Sequence, residues 1–134
     1  MRLFFDTNVI VAAVTRDTDR SEAAVTVLNE CEEGYASLLN LMELRTVLAK
    51  KKQIERDRVR QIEQRVASRV TVTFPDASDF LDANRVQEEK LLYPMDAIVL
   101  SAADAVDAEL VTFDSELQEH GAISPSEAIA VDID

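Results

Sequence analysis

The sequence predicts an α/β fold in which a short parallel sheet is covered on both faces by helices. Short apolar runs of strand character (RLFF, YASL, VTVTF, LVTF) alternate with longer segments whose apolar residues recur at helical spacing. Alternation of this kind builds strand–helix–strand crossovers, which make the strands parallel and bury both sheet faces. The chain also has 134 residues, 47% of them hydrophobic, with only 2 Gly and 3 Pro. That is enough for a packed core and leaves no linker-like stretch, so residues 1–134 are expected to form a single domain.

Arg2 to Phe5 reads as a buried strand ending at Asp6, followed by a short helix from Thr7 to Val14 and a polar loop, Thr15–Arg20. Ser21 is placed to cap a helix running to Glu33, with Ala24, Val27, Leu28 and Cys31 on its inner face and Gly34 as its terminator. Tyr35 to Leu38 is a second strand. The helix from Asn40 to Lys51 lines up Leu41, Leu44 and Leu48, and the next, Glu55 to Ser68, lines up Val59, Ile62 and Val66. Val70 to Phe74 is a strand closed by Pro75. Asp76 to Lys90 reads as an amphipathic helix with Phe80, Leu81 and Val86 as its apolar residues. Asp96 opens an apolar, alanine-rich helix to Val106, and Leu110 to Phe113 is a strand ending at Asp114. The tail from Gly121 holds a last short strand and a turn of helix.

The apolar start of MRLFFDTN is broken by Asp6, which suits neither a signal peptide nor a membrane span. The longest apolar run, Ala97 to Ala103, is interrupted by Ser101 and is too short to cross a bilayer. A lone cysteine, Cys31, cannot form an internal disulfide and fits a reducing compartment. A cytoplasmic protein without membrane association is the expectation. His120 lies in a polar loop and reads as surface, and Cys31 reads as core.

Charge is unevenly distributed. The chain carries 26 acidic and 14 basic residues, a net −12. Residues 45–69 run the other way, with nine basic and three acidic side chains. That stretch could meet phosphates or an acidic partner, or could simply be a solvated helix face with pairs one turn apart.

Within this acidic background four residues stand out by position: Asp6, Glu43, Asp96 and Asp114, in LFFDTNVI, NLMELRTVL, PMDAIVLSAA and LVTFDSEL. Successive parallel strands deliver their C-terminal ends to one edge of the sheet, which is where ligands bind in open α/β folds. Asp6 and Asp114 directly follow strands, while Asp96 and Glu43 lie at or near the starts of helices facing that edge. Each has a purely structural explanation as well. Asp96 and Asp114 could cap helices, and Asp6 could close an Asx-turn. Glu43 sits beside an apolar stripe, where an unpaired carboxylate is costly. Together the four are harder to explain structurally. Two carboxylates ~4 Å apart repel by about 4 kcal/mol at an effective dielectric of ~20. Convergence therefore calls for protons, cations or a metal, and a hard cation such as Mg²⁺ or Mn²⁺ suits oxygen donors.

The series strand–Asp-Thr-Asn, Glu in an apolar helix, Asp-x-Ile-x-x-x-Ala-Ala and Val-Thr-x-Asp resembles the PIN domain family, especially its VapC-type toxin ribonucleases. The resemblance runs from Leu3 to about Glu127. It implies a three-layer α/β/α sandwich and Mg²⁺- or Mn²⁺-dependent endoribonuclease activity. Carried over by motif, Asp6, Glu43, Asp96 and Asp114 match the acidic quartet, with Asn8 and Thr112 in support. Asp6 and Asp96 would hold the metal, Asp114 directly or through water, and Glu43 would orient or deprotonate the attacking water. The family further implies an RNA substrate, a small antitoxin partner and a homodimer. One departure is the turn before the last motif, often glycine-containing in the family and here VDAEL. It is expected to alter the turn and leave the chemistry intact. A degenerate PIN-like module that only binds RNA or protein is the alternative, argued against by retention of all four acids. A haloacid-dehalogenase-like phosphatase is a further alternative, but it needs a second Asp where this chain has Asn8.

The same composition, acidic with only four lysines (Lys50, Lys51, Lys52 and Lys90), predicts a protein of a high-salt cytoplasm, where molar salt shortens the Debye length to ~3 Å. Far-UV circular dichroism tests this. A halophilic chain loses its folded signal in salt-free buffer, and full stability there contradicts the prediction.

Overall fold

Alternation along one strand sets the layers. Leu3 and Phe5 point to one side and Phe4 to the other, all three fully buried, as the two-residue period of a strand requires. The computed structural model describes residues 1–133 and makes this segment, β1 (Arg2–Phe5), an inner strand of a four-stranded sheet. The others are β2 (Glu33–Ser37), β3 (Thr71–Thr73) and β4 (Glu109–Val111), in the order β3-β2-β1-β4, all parallel. The register pairs Leu3 with Gly34 and Glu109, and Phe4 with Tyr35 and Leu110.

Two cores flank the sheet. On the Leu3 and Phe5 side pack helices α1 (Thr7–Thr15), α2 (Ser21–Glu30), α3 (Leu38–Thr46), α4 (Arg56–Arg69) and the short α8 (Pro125–Ala128). On the Phe4 side pack α5 (Ala77–Lys90), α6 (Pro94–Ala105) and α7 (Ser115–Glu119). The preference for right-handed crossovers explains the division. From β1 to β3 the chain steps outward in one direction and lays its helices on one face. From β3 it returns past β2 and β1 to β4, and the returning helices take the opposite face. The three-layer α/β/α sandwich follows from that single reversal.

Several expected boundaries move for identifiable reasons. The second helix stops at Glu30, and Gly34 is a strand residue, not a terminator. A Cβ at Gly34 would stand 2.9 Å from the Phe5 ring and 3.1 Å from the Cys31 sulfur, so the strand needs glycine there for space. Ser21 is the first helical residue, and Arg20 holds the cap position without a side-chain hydrogen bond. The inner face of α5 is Ala83 and Val86, while Phe80 and Leu81 are exposed. Helical spacing turns Ala83 and Val86 to the core, and Phe80 lines a small pocket with Pro94 and Ile98 of α6. Asp96 does not open its helix: Tyr93 is the cap and Pro94, with its fixed φ, takes the first position. The helix from Asn40 continues as expected to Lys51, but its last turn, Val47–Lys51, is π-helical. The last strand reduces to a single bridge between Ile123 and Val111.

The VDAEL turn keeps its geometry without glycine. Asp107 adopts the left-handed conformation (φ 55°), Ala108 N–H bonds to Ala103 O at 2.9 Å and Asp107 N–H to Asp104 O at 3.0 Å. This is the pair of bonds that closes a helix in a Schellman motif, and Asp tolerates that backbone better than most residues. Among the described residues no helix is long and apolar enough to cross a membrane.

Candidate functional site

The strand order reverses between β1 and β4, and a crevice opens beyond their C-terminal ends. Asp6 leaves β1 there and caps α1, its Oδ1 accepting from Thr7 N–H at 2.9 Å. Asp114 follows β4 and caps α7, accepting from the N–H groups of Glu116 (2.8 Å) and Leu117 (3.3 Å). The capping roles are therefore real and coexist with placement at the crevice. Glu43 arrives from α3, after β2, and Asp96 from the third position of α6 in the opposite layer. Asp6, Asn8, Glu43, Asp96 and Asp114 all line one cleft of about 420 Å³.

Thr112 lies beneath the cleft, fully buried, and its hydroxyl joins the two strand ends. It donates to Asp6 Oδ2 at 2.8 Å and accepts from Asp114 N–H at 3.0 Å and from Asn8 Nδ2 at 3.1 Å. Asn8 Oδ1 accepts from Phe113 N–H at 3.1 Å, so the side-chain amide is fully committed to the β4 end.

A second relay holds Glu43. Asn40 Nδ2 donates to Thr7 Oγ1 at 3.0 Å, and Thr7 Oγ1 donates to Glu43 Oε1 at 2.6 Å. Asn40 is itself fixed by accepting from Ser37 N–H at 3.0 Å in the capping box of α3. Glu43 is exposed on the cleft wall, not sunk against the apolar stripe. Its place beside the apolar stripe overstated its burial, because Leu41 and Leu44 turn inward from the same helix while Glu43 does not.

Electrostatics identify the crowded carboxyls. Burial pushes the Asp6 carboxyl up from its ordinary value, the Thr112 and Thr7 hydrogen bonds oppose this, and Glu43 and Asp114 push it further up. Asp96 is raised to about 6, first by desolvation and then by Asp6, Asp114, Glu116 and Glu43. Among the described residues Asp96 has neither a hydrogen-bond partner nor an ion-pair partner for its carboxylate.

This donor set fits a hard, hydrated cation: a half-buried carboxylate without a partner, facing three more. It does not form a closed cage. Among the described residues no three or more Asp, Glu, His or Cys side chains form a ready-made group around one ion position. Mg²⁺ commonly takes only one or two carboxylates and retains its waters, which two of these residues can satisfy.

The PIN domain family profile matches residues 3–123. The chain belongs to the PIN domain family. Solved structures agree at the level of the fold. A toxin–antitoxin complex from Klebsiella pneumoniae has a TM-score of 0.73 at 22% identity, covering 92% of this chain and 97% of that one. The sarcin–ricin-loop-cleaving toxin VapC20 of Mycobacterium tuberculosis has 0.75 at 20% identity, covering 90% and 96%. VapBC2 of Rickettsia felis, bound to a promoter DNA fragment, has 0.72 at 19% identity, covering 92% and 97%. A comparison with curated proteins finds no match. Family membership sets aside the haloacid-dehalogenase-like reading.

In this PIN domain the cleft is also lined or supported by residues that the sequence did not single out. Thr7 and Asn40 form the Glu43 relay, and Asn40 carried a usable signal as the fourth residue of a Ser-x-x-Asn box. Glu116 adds a fifth acid near Asp96. Arg20 and Lys52 bring cations into the cleft from distant sequence, whereas Arg45, the one base within two residues of a motif acid in the sequence, pairs away with Glu63 at 2.8 and 3.0 Å. The rest of the basic segment divides. Arg58, Arg65 and Arg69 line a separate cavity of about 540 Å³ between α1, α2 and α4, which contains no carboxylate, while Lys50 and Lys51 are exposed.

The shifted Asp96 carboxyl has a consequence for stability. Its folded pKa of about 6 exceeds the unfolded 3.8, so between these values only the folded chain keeps the proton, and stability falls as pH rises through the window. In metal-free buffer Asp96→Asn is expected to raise Tm above pH 6 and to change nothing below pH 3.8. After discounting for solvent screening the gain is on the order of 1 kcal/mol, or about 3 °C. Thermal melts across pH check this; an increment independent of pH contradicts it.

Proposed function

We propose that this protein is a Mg²⁺- or Mn²⁺-dependent endoribonuclease that hydrolyses RNA phosphodiester bonds, and that it is the toxin of a toxin–antitoxin pair. The observation that carries this is the crevice at the strand-order reversal, where Asp6, Asp96, Asp114 and Glu43 line one cleft and Asp96 has no partner among the described residues. Asp6 and Asp96 would hold the cation, and Asp114 would assist directly or through water. Bound there, the cation supplies charge neutralisation for the phosphoryl oxygens and a lowered pKa for water.

The remaining work falls to side chains of this chain. Glu43 accepts the proton of the attacking water at Oε2, since Oε1 already accepts from Thr7. The Asn40–Thr7 relay fixes the Glu43 rotamer, so the base does not need to be ordered when substrate arrives. Thr112 and Asn8 hold Asp6 and the Asp114 backbone at a set separation. No protein nucleophile is required.

A small antitoxin, a homodimeric state and a cytoplasmic location belong to the same proposal. The Klebsiella pneumoniae neighbour, solved as a toxin–antitoxin complex, supports the first of these. The test is cleavage of defined RNAs in molar KCl with Mg²⁺ or Mn²⁺, comparing the parent chain with Asp6→Asn and Asp96→Asn. Losses on the order of 100-fold or more are expected for both. Variants that cut as fast as the parent show that the site is wrong. RNA left intact by the parent in excess Mn²⁺ favours a binding module instead.

A further inference from the structure

A cleft walled by carboxylates repels the polyanion it is proposed to cut, so any cation on its rim bears on how substrate is received. Among the described residues two basic side chains line this cleft, Arg20 and Lys52. Their situations differ. Lys52 is engaged, its Nζ 2.8 Å from Asp17 Oδ2, and Asp17 is further held by Thr15 Oγ1 at 2.9 Å. Arg20 has no carboxylate partner and no side-chain hydrogen bond among the described residues. Its guanidinium carbon instead stands 4.9 Å from the centroid of the Phe113 ring.

That stack is tied to the site. Phe113 lies between Thr112 and Asp114, and its N–H is held by Asn8 Oδ1 at 3.1 Å. Any change that positions the β4 end therefore also positions the ring beneath Arg20. An arginine resting on an aromatic face keeps its N–H donors free at the edge of the plane, and the fork of those donors matches two phosphate oxygens. A lysine paired with an aspartate has no such reserve.

We propose that Arg20, stacked on Phe113, is the substrate-gripping residue of the cleft and binds a backbone phosphate of single-stranded RNA beside the bond to be cut. The inference rests on the endoribonuclease reading and adds the residue that offsets repulsion between an acidic cleft and RNA. The grip acts on binding and leaves proton transfer to Glu43. It also predicts a dependence on the ring, because without Phe113 the guanidinium loses its platform and sweeps a larger volume.

The experiment measures kcat and KM for one short single-stranded RNA with Mn²⁺ over a series of KCl concentrations, for the parent, Arg20→Gln, Arg20→Lys and Phe113→Leu. Arg20→Gln is expected to raise KM about tenfold with kcat within about twofold, and to lower the slope of log affinity against log salt by about 0.7 to 1. Arg20→Lys should restore the salt slope but only part of KM, because a point charge replaces a fork. Phe113→Leu should fall between parent and Arg20→Gln. A parent that cuts RNA beside an Arg20→Gln with unchanged KM and salt slope overturns the grip and leaves the ribonuclease reading standing. A loss confined to kcat also overturns it, since the residue would then act on the chemical step. A parent that does not cut at all overturns both.

Discussion

The hydrogen bond from the Thr112 hydroxyl to Asp6 is the contact on which the rest of the cleft depends. It joins the ends of two strands that are neighbours only because the chain reverses direction across the sheet. One hydroxyl, with no exposure to solvent, serves Asp6, Asn8 and the backbone of Asp114 at once. Buried hydrogen bonds to charged groups are the strong ones, and an orphaned buried carboxylate is more costly still. The separation of Asp6 from Asp114 is therefore set by the scaffold before any ligand arrives. Both residues also cap helices, so their backbones are fixed from two directions.

Opposing forces set the cleft carboxylates apart from those of the surface. Surface acids such as Asp82 and Glu63 are met by arginines. At the cleft, burial and mutual repulsion raise Asp6 and Asp96, while hydrogen bonds pull only Asp6 back. Asp96, from the opposite layer, has no such relief and is the carboxylate with most to gain from a cation. The cations already present are peripheral: Lys52 is neutralised by Asp17, and Arg20 lies over an aromatic ring. That division gives the cleft an acidic floor and, among the described residues, one unpaired positive group at its rim.

Much of this was legible in the sequence because it depends on periodicity and on where apolar runs stop. The Leu41, Leu44 and Leu48 stripe and the runs ending at Asp6 and Asp114 fixed the element types, and parallel topology brought their ends together. What could not be read depends on packing between distant segments. Gly34 looked like a helix stop because its need for space comes from Phe5 and Cys31 across the sheet. Phe80 and Leu81 looked like core because hydrophobicity alone does not reveal which face of α5 meets the sheet layer, and that face carries Ala83 and Val86. Thr7 and Asn40 were unremarked because their partner, Glu43, belongs to a separate motif. Arg20 reaches the cleft through a loop whose course no local pattern records.

The clasp can be measured at the atom it acts on. Carboxyl ¹³C titration of Asp6 in the metal-free protein reads its pKa directly, independent of any substrate. The Thr112 hydrogen bond lowers that pKa against burial, so Thr112→Val should make Asp6 titrate at higher pH, while Thr112→Ser, which keeps the hydroxyl, should stay near the parent. An Asp6 that titrates identically in the parent and in Thr112→Val would contradict the clasp and, with it, the claim that β4 sets the carboxylate positions.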